Sequence, residues 1–333
     1  MTRRIIFVTG GAGFIGSNIV ARLSEDPTLD LVVCDWLGDT QLGKWRNLAR
    51  HPIGDFVAPE DIWDWLEKRW REVEVVIHMG AVSSTTEGDA DKVITTNFGL
   101  SRDLYRWCTD HQRRFIYASS GASYGDGVQG FDDVQTWQAL SALRPLNVYG
   151  WSKALFDVFA TRQSARGYAP PQWVGLKFFN VYGPNEEHKG VMRSIASQIW
   201  PDVAAGRTVK LFRSYHSGYA HGGQLRDFVY VGDAVDVVAW LVKHERVNGV
   251  FNLGSGQARS FNDVANAVFA AAGREPSIEY IEMPKALRSR YQYFTEAKMD
   301  RLRAAGYAAP LTSLEDGVDD YVRGYLGPGD PYR

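Results

Sequence analysis

Cysteine is scarce in this chain: Cys34 and Cys108 are the only two in 333 residues. A disulfide framework is therefore excluded, and both thiols sit in apolar stretches that read as core. That usage points to a reducing, cytoplasmic compartment. Net charge is scarce as well, since 37 Lys and Arg against 39 Asp and Glu leave −2. No basic excess argues for nucleic acid as a partner, and no acidic run argues for a disordered tail. Long apolar runs are missing too. Nothing approaches the roughly 20 residues of a membrane helix, so no membrane partner is expected. The basic start at 1–4 meets only four apolar residues before glycines intervene. A signal peptide needs roughly 7–15. The seven histidines are scattered without ligand spacing, so no metal site is expected.

What is present is ordinary globular material, 45% hydrophobic and 23% charged. At roughly 150 residues per domain, the length suits two domains or one domain with a lobe. Apolar runs at 5–9, 31–34, 73–77, 115–118 and 173–178 read as buried parallel strands. Helical patterns at 14–23, 62–71 and 92–108 separate them, as right-handed crossovers require. Beyond 183 the pattern loosens. Further strands are expected at 228–231, 250–253 and 278–281, with helices at 234–243 and 263–271. Trp63, Trp65 and Trp70 share one helix and read as packing or interface residues. The Gly- and Pro-rich tail at 327–332 is expected to fray.

The stretch Thr9-Gly10-Gly11-Ala12-Gly13-Phe14-Ile15-Gly16 closes the first strand and opens the first helix. Gly10 suits a tight turn, Gly13 a close backbone approach to pyrophosphate, and Gly16 helix packing on the sheet. The helix N-terminus then faces the phosphates with free N–H groups. Asp35 ends the second strand, where a carboxylate holds an adenosine ribose. These features predict a dinucleotide-binding, doubly wound parallel α/β sheet of the Rossmann kind. A smaller, interleaved C-terminal α/β lobe would bind substrate. The expected division is 1–180 for the nucleotide domain and 181–333 for the substrate lobe, with some chain returning. Asp35 favours NAD, whereas Lys44 and Arg46 on the next loop suit the 2′-phosphate of NADP. Both cofactors fit the pattern.

Tyr149-Gly150-Trp151-Ser152-Lys153 puts a phenol and an ammonium four residues apart, on one helical face. A nearby cation lowers a phenol's pKa, so Tyr149 can exchange a proton with a sugar hydroxyl. Lys153 would also hold the nicotinamide ribose. Ser119 and Ser120 end a strand whose carboxyl end faces the ligand crevice, and Ser120 is the first choice to bond the reacting oxygen. His78 ends another strand and reads as a satisfied core histidine. The small residues after it leave room for a cofactor.

Together these motifs resemble the extended short-chain dehydrogenases/reductases along essentially the whole chain. Phe178-Phe179-Asn180-Val181-Tyr182-Gly183-Pro184, Arg226-Asp227-Phe228-Val229-Tyr230-Val231 and Asn252-Leu253-Gly254-Ser255-Gly256 are further marks. A narrower resemblance rests on four strings: Ser83-Ser84-Thr85-Thr86-Glu87, Pro145-Leu146-Asn147-Val148-Tyr149-Gly150, Glu187-His188-Lys189-Gly190 and Arg290-Tyr291-Gln292. They are similar to those of the ADP-L-glycero-D-manno-heptose 6-epimerases. That family inverts carbon 6 of ADP-D-glycero-D-manno-heptose, a lipopolysaccharide inner-core precursor. The resemblance implies transient oxidation by tightly bound NADP, turning of the ketone, and hydride return to the opposite face. It implies two acid/base groups, Tyr149 and Lys189.

The resemblance also implies cofactor contacts at Gly10, Gly13, Phe14, Ile15, Gly16, Asp35, Trp36, Lys44, Met79, Gly80, Ala81, Val82, Ser83, Asn97, Lys153 and Lys189. It implies substrate contacts at Ser83, Asn180, Val191, Gln198, Phe212, Arg213, Ser214, Tyr215, Arg226 and Tyr291. It implies a homo-oligomer. Trp36 stands where that family usually has asparagine, and 215–224 reads as an insertion before Arg226.

Overall fold

A computed structural model describes residues 4–85, 87–288 and 291–333. Thr86 and Arg290 of the quoted strings lie outside the described residues. In chain order the strands are β1 (Arg4–Thr9), β2 (Leu29–Cys34), β3 (Asp55–Val57), β4 (Val73–His78), β5 (Arg114–Ser120), β6 (Trp173–Phe178), β7 (Asn180–Tyr182), β8 (Val209–Phe212), β9 (Leu225–Tyr230), β10 (Gly249–Leu253), β11 (Ala258–Ser260) and β12 (Ile278–Ile281). Seven of them form one sheet in the order β10-β6-β5-β4-β1-β2-β3. Every pairing in it is parallel.

Helices cover both faces of this sheet, so its strands are apolar on both sides. Ile6 and Val8 point into one core layer, with the helices Phe14–Leu23 and Val231–Lys243. Ile5 and Phe7 point into the other, with Leu100–Asp110 and Val148–Ser164. Trp65 and Trp70 pack on that second layer, and Trp65 donates to Asp55 at 2.8 Å. Cys34 and Cys108 are free and buried.

The chain beyond β6 builds a second core under the helices Ile195–Ala204, Phe261–Ala271 and Leu314–Tyr321. Two small sheets, β11-β9-β7 and β12-β8, belong to it. The helix Val231–Lys243 and β10 return to the large sheet, so the two lobes share chain. Among the described residues no helix is long and apolar enough to cross a membrane.

Two expectations are corrected. The segment 92–108 is not one α-helix, because a wider π-type stretch, Ile94–Gly99, interrupts it. That stretch turns Asn97 inward, where its amide brackets Val82 with two bonds of 2.8 and 3.0 Å. The tail is not frayed. Asn185 donates its backbone N–H to Pro331 O at 2.8 Å, and Arg50 bonds Tyr332 O at 2.7 Å. Backbone pairing overrides the flexibility that Gly and Pro suggest.

Beneath β5 and β6 lies a fully buried ion pair. Lys177 Nζ reaches Asp157 Oδ2 at 2.7 Å, and both side chains are 0% exposed. Asp157 also accepts from Tyr117 (2.9 Å) and Ser119 (2.6 Å), and Lys177 donates to Ser123 (2.5 Å). Removing one charge leaves the other uncompensated in an apolar interior. Lys177→Met is expected to cost about 3–5 kcal/mol in denaturant unfolding. The double change Lys177→Met with Asp157→Leu should recover most of it. A single variant as stable as the parent would contradict this account.

Candidate active site

The strand order reverses between β1 and β4, and the crevice opens at their carboxyl ends. Gly10, with φ +66°, donates its N–H to Cys34 O at 2.8 Å. A Cβ there would lie 2.5 Å from Gly80 N, and one on Gly16 would lie 2.1 Å from Gly10 O. Only glycines let these backbones meet. No side chain caps the N-terminus of the helix Phe14–Leu23, and Gly13 through Gly16 line the cavity beside it. A pyrophosphate fits this cradle, because uncapped N–H groups and the helix dipole favour an anion. Asp35 accepts from Ala12 N (3.0 Å) and Trp36 N (2.8 Å) and pairs with Lys44 Nζ (2.6 Å). The residues present thus fit a dinucleotide.

The cradle is one end of a cavity of about 900 Å³. Met79, Gly80, Ala81, Ser83, Ser120, Tyr149 and Lys153 also line it, as do Asn180, Lys189, Gln198, Phe212 and Tyr291. Asn147 caps the helix Val148–Ser164 by accepting from Gly150 N at 2.8 Å, which fixes Tyr149 in its first turn. Burial raises the Tyr149 pKa, and a hydrogen bond with Ser120 opposes that rise. Ser120 Oγ also accepts from Ala122 N at 3.1 Å. Lys153 donates to Ala118 O at 2.8 Å, which leaves two of its three donors for a ligand. Burial pulls its pKa down to about 8, against the pull of Asp157.

Lys189 enters from the turn Glu187–Met192. Its Nζ lies 4.8 Å from the Phe14 ring centre and 3.9 Å from Glu186 Oε2. Burial lowers its pKa and Glu186 works against that. A lysine so placed gives up its proton more readily than an exposed one, as a base requires.

Other expected contacts stand back from the cavity wall. Val82 and Asn97 hold the loop behind Ala81. Arg226 is 8% exposed and acts from behind, 5.2 Å from the centre of the Tyr291 ring and 5.9 Å from Phe261. Trp36 faces outward and donates to Glu60 at 2.8 Å. Val191 is 87% exposed. Arg213, Ser214 and Tyr215 bond within their own loop or across to Tyr280 O, His221 and Glu282. Conversely, His188, Arg193, Ser194 and Lys210 line the cavity without having been singled out. His188 adjoins Lys189 in its string, and Lys210 shares a strand face with Phe212; those were the available signals.

His78 is the satisfied core histidine the sequence suggested. Thr9 Oγ1 lies 2.6 Å from Nδ1, Ser101 Oγ 2.8 Å from Nε2, and burial lowers its pKa from 6.5 to about 3. A dinucleotide cradle sharing a cavity with a buried serine and lysine and a half-buried tyrosine defines a nicotinamide-dependent enzyme that works on an alcohol or carbonyl.

A family model described as NAD dependent epimerase/dehydratase matches residues 6–254. An ADP-L-glycero-D-manno-heptose-6-epimerase of Nitratidesulfovibrio vulgaris is 49% identical over 98% of this chain and 99% of its own. The crystal structure of the Helicobacter pylori ADP-L-glycero-D-manno-heptose-6-epimerase superposes with a TM-score of 0.80 at 30% identity, covering 97% of this chain and 96% of that one. A Thermus thermophilus UDP-glucose 4-epimerase in complex with NAD gives 0.71 at 26% identity over 96% and 99%. The chain belongs to the NAD dependent epimerase/dehydratase family, among relatives that carry the ADP-L-glycero-D-manno-heptose-6-epimerase name.

The depressed His78 pKa generates a pH prediction. Above 6.5 the imidazole is neutral folded or unfolded. As pH falls from 6.5 towards about 3, only the unfolded chain takes up this proton, so stability falls. The denaturation midpoint of His78→Asn should decline less steeply across that window than the parent's. Equal slopes would contradict the assignment.

Proposed function

We propose that this enzyme interconverts ADP-D-glycero-D-manno-heptose and its L-glycero epimer at carbon 6 of the heptose, in the supply of lipopolysaccharide inner-core precursor. The observation that carries the reading is that Tyr149 and Lys189, two candidate proton carriers on different segments of the chain, line one cavity. When the ketone turns to offer its other face to the returning hydride, its oxygen moves to a second position, where a second proton carrier serves it; a simple dehydrogenase needs only one such group. Gly10 and Gly13 of the cradle hold the dinucleotide, and Asp35 with Lys44 holds its adenosine ribose.

A bound nicotinamide supplies a reversible hydride acceptor, so the sugar carbon is oxidised and reduced with no net change. Tyr149 exchanges the hydroxyl proton on one face, with Ser120 holding the oxygen. Lys153 keeps a positive charge near the phenol and orients the nicotinamide ribose. Lys189 exchanges the proton on the other face. Phe212 and Tyr291 flank the nucleotide of the substrate, and Arg226, packed behind Tyr291, fixes that ring.

NADP is the cofactor this reading favours. Lys44 pairs with Asp35 at 2.6 Å and offsets the carboxylate that would repel a 2′-phosphate. The two free buried cysteines suit a cytoplasmic setting.

Replacing Tyr149 by Phe should leave dinucleotide affinity intact and cut epimerisation by at least about 100-fold, the scale of general acid–base catalysis. Lys189→Met should do the same. Parental turnover in either variant, measured by NMR of the heptose signals, would refute the two-carrier mechanism. Asp35→Ala should weaken NAD binding more than NADP binding in fluorescence titrations. Equal weakening would show that Asp35 does not discriminate the two ribose groups.

A further inference from the structure

Two non-glycine residues among those described have positive φ: Gln112, in the turn after a helix, and Asn185, with φ +75°. A left-handed backbone costs energy for a residue with a Cβ, and such strain persists only where surroundings over-determine it. Asn185 is fully buried and bonded on every side. Its Nδ2 donates to Ser17 Oγ on the cradle helix at 3.0 Å. Its Oδ1 accepts from Arg333 N at 2.8 Å, and its own N–H donates to Pro331 O at 2.8 Å. Its carbonyl accepts from Asn47 Nδ2 at 3.2 Å, and the preceding Pro184 O accepts from Asn18 Nδ2 at 3.0 Å. One residue therefore ties the cradle helix, the loop after β2 and the tail to a single point.

The segment that follows is closed on itself. Glu186 binds both Ser194 N (2.6 Å) and Ser194 Oγ (2.5 Å), and also accepts from Tyr321 OH at 3.1 Å. Arg193 holds both oxygens of Glu187, at 2.9 and 2.8 Å. Lys189 N donates to Glu186 O at 3.0 Å. A segment so cross-braced moves as a body, and its placement over the cradle is decided where it leaves the chain, at Asn185.

We propose that Asn185 is a positioning residue for Lys189: its left-handed turn and its bonds to Ser17, Asn47 and the tail set the Lys189 ammonium over Phe14 and into the cavity. The proposal rests on the two-carrier reading above. A shift of about 1 Å at a reacting group costs on the order of 100-fold in rate, so loosening this point acts on turnover rather than on binding. The tail takes part, because Arg50 grips Tyr332 O at 2.7 Å and pairs with Asp330.

Asn185→Gly tests this, since glycine keeps the left-handed backbone while removing the side-chain bonds. Turnover should fall about 10- to 100-fold, with KM and dinucleotide affinity near the parent's. Brief acetic anhydride labelling, read by peptide mass spectrometry, should modify Lys189 faster than in the parent, while Lys153 stays protected. Parental turnover together with parental Lys189 labelling would overturn the proposal. Should Asn185→Gly not fold, Arg50→Ala, which loosens only the tail, decides by the same two readouts. Lys189→Met measured in parallel separates the two claims. If it turns over normally, the two-carrier reading fails. If it is inactive while Asn185→Gly matches the parent, only the positioning role fails.

Discussion

Everything in this site depends on the contact between Gly10 and Gly80, where the ends of β1 and β4 meet with no room for a Cβ. That approach leaves the reversal point of the sheet open to a ligand. It also sets the direction of the helix that follows, because Gly16 rests almost on Gly10 O. A methyl group at Gly10 or Gly16 would meet backbone at 2.5 or 2.1 Å and displace the helix N-terminus. Ser120, Tyr149 and Lys153 are then carried in on β5, whose placement the parallel register fixes, and on the helix Val148–Ser164.

Burial tunes the same residues that it positions. Tyr149 is pushed towards holding its proton, while Lys153 and Lys189 are pushed towards losing theirs. A ligand that exchanges solvent in the cavity for hydroxyls and phosphates would shift these groups again. The Lys177–Asp157 pair below is screened from that exchange, since it lies wholly within protein. It presents Ser119, and through it the end of β5, as a rigid floor.

The sequence was most legible where local rules and tertiary demands agree. The helix Phe14–Leu23 matches its expected bounds because the glycines before it and the apolar spacing within it say the same thing. β6, buried along its whole length, was equally plain. The three-residue strands β3, β7 and β11 were not expected. Segments so short carry no periodicity and exist by pairing with partners remote in sequence. That Asn97 braces Val82 was not legible, because the π-type turn that carries it has no sequence signature. The tail was misjudged for a related reason: its order comes from Asn185 and Arg50, far away in the chain. The resemblance to the heptose epimerases brought Lys189 forward, and local pattern alone would have left it a loop lysine.

The most direct test of the central claim is an NMR time course of the purified protein with ADP-D-glycero-D-manno-heptose and no added cofactor. Appearance of the L-glycero epimer is the predicted result, and it would establish substrate, inversion and a retained dinucleotide together. Absence of conversion, with NADP added as well, would contradict the assignment and point to another nucleotide sugar in the same cavity.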